Sequence, residues 1–98
     1  MQKLSLVARI VAKPGKEEEV AALLEGAVAL ARAENATVAW YALRFSKTEF
    51  GVFDTFQDES GRNAHLSGQI AAALMAKAPE LLAEPPRIDK ADIIAAKA

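Results

Sequence analysis

Glu49-Phe50-Gly51-Val52-Phe53-Asp54-Thr55-Phe56-Gln57-Asp58-Glu59-Ser60-Gly61-Arg62-Asn63-Ala64-His65-Leu66 decides how this chain folds. Residues Phe50 to Gln57 alternate and are rich in aromatic and β-branched side chains, the pattern of a strand. Asp58 follows where a helix N-cap accepts a backbone hydrogen bond, so a short helix is expected through His65. Gly61 inside that helix costs on the order of 1 kcal/mol against alanine. His65 is the only histidine of the chain, so site chemistry is sought first in this stretch.

Working upstream, Thr37 to Phe45 is a second run of β-branched and aromatic residues. Ser46-Lys47-Thr48-Glu49 joins it to the strand at Phe50, a connection suited to an antiparallel hairpin. Leu4 to Ala12 alternates Leu4, Leu6, Ala8 and Ile10 with Ser5, Val7, Arg9 and Val11, again the period of a strand, and Pro14-Gly15 ends it. From Lys16 to Ala33, the residues Val20, Leu23, Leu24, Ala27, Val28 and Ala31 recur on one helical face, and Glu17, Glu18 and Glu19 suit the positive end of the helix dipole. Glu34-Asn35 reads as a left-handed helix stop. Downstream, Gln69 to Leu82 reads as a helix with Ile70, Leu74, Ala78 and Leu81 inward and Pro79 as a place to kink. Pro85-Pro86 closes it, and Arg87 to Ala96 reads as a last strand.

The order β-α-β-β-α-β predicts an α+β, ferredoxin-like domain over residues 1–98: a four-stranded antiparallel sheet with helices on one face. A sheet of this kind that meets water on its other side alternates apolar and polar residues. Here both faces are apolar, with Val7 and Val11 opposing Leu6 and Ile10, and Tyr41, Leu43, Phe45 and Phe53 opposing Trp40, Val52 and Phe56. A second copy of the chain is the expected cover, giving a homodimeric α/β barrel.

The chain has 98 residues, 52% of them hydrophobic and 26% charged, with a net charge of −1. That balance offers no field to concentrate nucleic acid or anionic lipid, so neither is an expected partner. No cysteine is present, which excludes disulfides and thiolate chemistry and fits a reducing compartment. The start lacks a signal-peptide core, and the apolar window from Ile70 to Ala78 is too short to span a membrane, so a soluble, cytoplasmic protein is expected. One histidine and consecutive glutamates do not converge on an ion, and no metal is expected.

Phe50-Gly51-Val52-Phe53-Asp54-Thr55-Phe56, then Asp58-Glu59-Ser60 and Ala64-His65-Leu66, resembles the central signature of the antibiotic biosynthesis monooxygenase (ABM) family of dimeric α+β barrels. Val7-Ala8-Arg9-Ile10 and Lys13-Pro14-Gly15-Lys16 are similar to that family's start. The resemblance implies a monooxygenase that uses no cofactor and oxidises a small quinol- or anthrone-type aromatic with molecular oxygen. Two departures stand out: many members end the third strand with tryptophan where this chain has Phe56, and haem-degrading relatives carry an asparagine where it has Ala8. Haem breakdown is therefore not expected.

Such chemistry needs a dry pocket for a flat ring, a group that removes a proton, and stabilisation of the anion while oxygen takes an electron. His65 is the expected proton acceptor, because its ordinary pKa lies near neutrality. Asp54 is expected to orient it, and Trp40, Arg44, Phe56, Asn63 and Met75 are the candidate pocket residues. Each also has a plainer reading: a packed or capping histidine, an interface-paired carboxylate, core aromatics, a surface arginine. A non-catalytic ligand-binding or regulatory domain, or an isomerase or decyclase using the same cavity, remains an alternative.

Overall fold

The computed structural model describes residues 2–97. Its elements run β1 (Leu4–Val11), α1 (Glu17–Ala33), β2 (Thr37–Arg44), β3 (Glu49–Phe56), α2 (Glu59–Leu66), α3 (Gln69–Leu81) and β4 (Arg87–Asp92). The strands form one antiparallel sheet in the order β2-β3-β1-β4, so both crossovers carry the chain over the same face. This is the expected ferredoxin-like α+β arrangement, with the second helical segment split in two. The break falls at Ser67-Gly68, where Gly68 takes an extended conformation before α3 begins.

The hydrophobic period of each element sets what it buries. Leu6, Ile10, Phe50, Val52 and Phe56 cover the helix side of the sheet, and Val20, Leu24, Leu81 and Leu82 pack over them. Further along α1, Ala27 and Ala31 meet Ile70 of α3 in a second cluster, and Trp40 bridges the two. Asp58 caps α2 as its position predicts, its carboxylate accepting from the Gly61 backbone at 3.0 Å. Gly61 is accounted for as well: a Cβ there would come within 3.2 Å of the Ala36 Cβ and 3.3 Å of its carbonyl oxygen, so α2 lies tight on the turn before β2. Among the described residues only Gly15 has positive φ (86°), in the turn after β1.

Two expectations are corrected. Glu34-Asn35 is not a left-handed stop, since Glu34 is extended (φ −86°, ψ 103°) and its carbonyl accepts from the Thr37 backbone at 3.2 Å. Strand β4 ends at Asp92 rather than Ala96. Asp92 lies opposite Leu4, the first residue of β1, so the template runs out; the Ile93 backbone donates once more to Lys3, and Ile94 is exposed.

The other face of the sheet is apolar and uncovered within the chain. Val7, Phe53 and Tyr41 align across β1, β3 and β2, with Tyr41 and Phe53 stacked at a centroid distance of 6.5 Å. Leu43 and Phe45 are exposed beside them, and the Arg9 guanidinium lies 4.1 Å over the Phe45 ring. No helix among the described residues is long and apolar enough to cross a membrane.

Candidate functional site

Three elements bring one charged group each to the interior. Asp54 stands on the helix face of β3, 1% exposed, and His65 is buried on α2. Glu34 follows α1, and its extended backbone carries the side chain across to the imidazole. His65 Nε2 lies 2.8 Å from Asp54 Oδ2, and His65 Nδ1 lies 2.6 Å from Glu34 Oε1, which also accepts from Thr37 Oγ1 at 2.7 Å. The Phe56 ring packs against the imidazole at a centroid distance of 5.4 Å.

Burial works against a charge on His65. Hydrogen bonds to Asp54 and Glu34, together with their negative charges, outweigh it and raise the pKa from 6.5 to about 9. At neutral pH the ring is therefore an imidazolium that donates from both nitrogens, and neither is free to accept a proton. Because the folded value lies above the unfolded one, the stabilisation is fully present below about pH 6.5 and is lost as pH rises through about 9. Urea midpoints are expected to fall across that interval in the native chain and to change less in His65→Gln. Parallel pH profiles for the two proteins would overturn this.

The imidazole stands between two spaces. Outside, Glu34, Ala36, Gly61, Ala64 and Gly68 line an open groove of about 350 Å³ that His65 borders. Inside, His65 and Asp54 border a cavity of about 50 Å³ between the sheet and α2–α3, otherwise walled by apolar side chains that include Leu6, Val52, Ile70, Leu74 and Ile88. Asp54 Oδ1 is buried and accepts no hydrogen bond from any described residue. A carboxylate oxygen can accept from more than one donor, so this buried atom stands apart from most other polar groups of the core.

The expected site residues divide. His65 and Asp54 border the inner cavity, whereas Phe56, expected in the pocket, is fully buried against the imidazole and does not line it. Trp40 lies across the strands from Asp54 with its indole N–H buried and without a partner among the described residues, yet it borders a separate groove with Val28 and Arg32 rather than the inner cavity. Arg44 is away from the site: Glu18 Oε2 holds it at 3.0 Å, and its guanidinium lies 4.8 Å over Phe50. Asn63 is exposed on the outer side of α2, and Met75 is 56% exposed, so neither walls the cavity. The residue that sequence reasoning missed as part of the site is Glu34. The signal was present, because a carboxylate at a helix C-terminus opposes the dipole and calls for a cation nearby.

The split βαβ order and the sheet define an α+β domain with the ABM-like fold. Structures described as "putative antibiotic biosynthesis monooxygenase" from Nitrosomonas europaea and Caulobacter crescentus match with TM-scores of 0.83 and 0.80, at 13% and 19% identity. Those matches cover 94% and 96% of this chain and 99% and 92% of theirs. A protein of unknown function from Nitrosomonas europaea is 56% identical, with a TM-score of 0.98 over 100% of this chain and 95% of that one. The chain belongs to the same family as that protein. No family model and no curated protein matches it.

Proposed function

We propose that this chain is a cytoplasmic, cofactor-independent monooxygenase that oxidises a small phenol or quinol with molecular oxygen. The observation that carries the reading is Asp54: one oxygen is held by an imidazolium, the other is buried without a partner among the described residues, and the residue borders a largely apolar cavity. The base is accordingly Asp54, and His65 is its positive counterpart. Asp54 Oδ1 removes the hydroxyl proton, and the His65 charge stabilises the resulting phenolate. The outer groove is the weaker candidate, because Glu34 Oε1 already accepts twice.

The phenolate passes one electron to oxygen. The radical and superoxide join in a carbon–oxygen bond, and Asp54 returns its proton to the peroxide. Loss of the ring hydrogen with cleavage of the oxygen–oxygen bond leaves a carbonyl on the ring and releases water, so phenol and oxygen give quinone and water. The apolar walls limit the access of bulk water to the anion and the peroxide. Oxygen uptake above the uncatalysed rate with a panel of phenols and hydroquinones tests the reading, and uptake at background across the panel overturns it in favour of a non-catalytic ligand-binding domain.

The exposed face bearing Val7, Tyr41, Leu43, Phe45 and Phe53 is assigned to a second copy, related by a two-fold axis so that the same patch is buried twice. Sedimentation at micromolar concentration is expected to give twice the mass of the chain. Tyr41→Lys together with Phe53→Lys is expected to give the monomer, because a two-fold contact sets each new charge against its own copy. A native chain that sediments only as a monomer refutes the assignment.

A further inference from the structure

The inner cavity has a rigid side and a less buried one. Leu6, Val52, Asp54 and Ile70 are each no more than 8% exposed and are fixed by the sheet and the core. The less buried lining residues are Ala8, Leu66, Ala71, Leu74 and Ile88, and of these Ile88, on the edge strand β4, is the most exposed at 42%. The register places Ile88 opposite Ala8, on the helix side of the sheet, so it stays clear of the face assigned to the second copy. Helix α3 packs chiefly on α1 and α2 rather than down onto β4, which leaves room for the Leu74 and Ile88 side chains to turn outward.

We propose that Ile88 and Leu74 are the specificity-determining residues of this site and restrict its substrate to a single aromatic ring. This rests on the oxygenase reading only for the word substrate; the size limit is a property of binding. A dry cavity that takes benzene measures about 150 Å³, against about 50 Å³ here. Turning Ile88 and Leu74 outward supplies the difference for one ring while its hydroxyl meets Asp54 Oδ1. Three fused rings need more width than those rotations give, so the outer rings meet the Ile88 and Leu74 side chains themselves. The buried walls at Leu6, Val52 and Ile70 do not give way to make up the rest, because close-packed side chains do not yield gradually.

The test is a calorimetric titration with phenol, 1-naphthol and 1-anthrol, which carry the same single hydroxyl on one, two and three rings. The native chain is expected to bind phenol at least tenfold more tightly than 1-anthrol, although 1-anthrol has the larger apolar surface. Ile88→Ala is expected to bring that ratio close to one, and Leu74→Ala to move it the same way. Ile88 is half exposed, so the first variant keeps the core intact. Failure to bind phenol, tighter binding of 1-anthrol by the native chain, or an unchanged ratio in both variants overturns the proposal. Run under nitrogen, the titration reports binding alone, so size selection there without oxygen uptake in air would sink the oxygenase reading alone. Uptake with three-ring substrates only would sink this inference alone.

Discussion

Asp54→Asn is expected to lower kcat for oxygen uptake with a phenolic substrate by about 10²–10⁴-fold, the range a positioned general base contributes. Asparagine keeps the shape of the side chain, and its amide oxygen can still accept from His65 Nε2. What it loses is the basic oxygen that takes the substrate proton. The same change removes one of the two carboxylates that hold the imidazolium, so the His65 pKa moves down from about 9. Two readouts therefore go together: turnover falls, and the histidine titration, followed by its ring-proton resonances, shifts to lower pH. A variant that titrates lower yet turns over normally would leave Asp54 a structural partner of the histidine and return the search for a base to the outer groove.

His65→Ala is expected to be the most destabilising single change in the site, at about 3–5 kcal/mol near neutral pH. The ring is buried between Glu34 and Asp54, so truncation leaves two carboxylates facing a vacated space without their shared cation. For a domain of this size the melting temperature should drop by more than about 10 °C. His65→Gln fills more of the space and can donate to one carboxylate, so it should fall between the native chain and alanine. A loss below about 1 kcal/mol for alanine would mean that the carboxylates find other partners. Unchanged oxygen uptake in a folded His65→Gln would show that the positive charge plays no part in turnover.

Much of the fold is legible in the sequence because its signals are local. Alternation marks β1, β2 and β3, a 3.6-residue period marks α1, and Asp58 marks the start of α2. The end of β4 is not local: its apolar residues continue to Ile94, and only the position of Leu4 on the neighbouring strand decides where pairing stops. The site follows the same division. His65 and Asp54 stand out by residue type, and Phe56 by its place on the strand. Their geometry does not, since Glu34 reaches His65 across 31 positions through a turn whose extended conformation no local signal marks. That one contact inverts the expected roles, because a histidine between two carboxylates holds its proton. Arg44 fails for a related reason: sharing a sheet face with Trp40 places it on the correct side but near the wrong end, where Glu18 claims it.

The pairing of Leu4 with Asp92 spans almost the whole chain, whereas Glu34, Asp54 and His65 lie within one continuous run of α1, β2, β3 and α2. Closing the longer loop costs more chain entropy, so β4 docks late. The charged centre can then assemble in a nascent protein before Ile88, the residue that flanks its cavity, has a strand to sit on. Pulse-labelled hydrogen exchange should accordingly protect the β2–β3 hairpin amides ahead of those of β4. Simultaneous protection would mean that charge and flank form in one step.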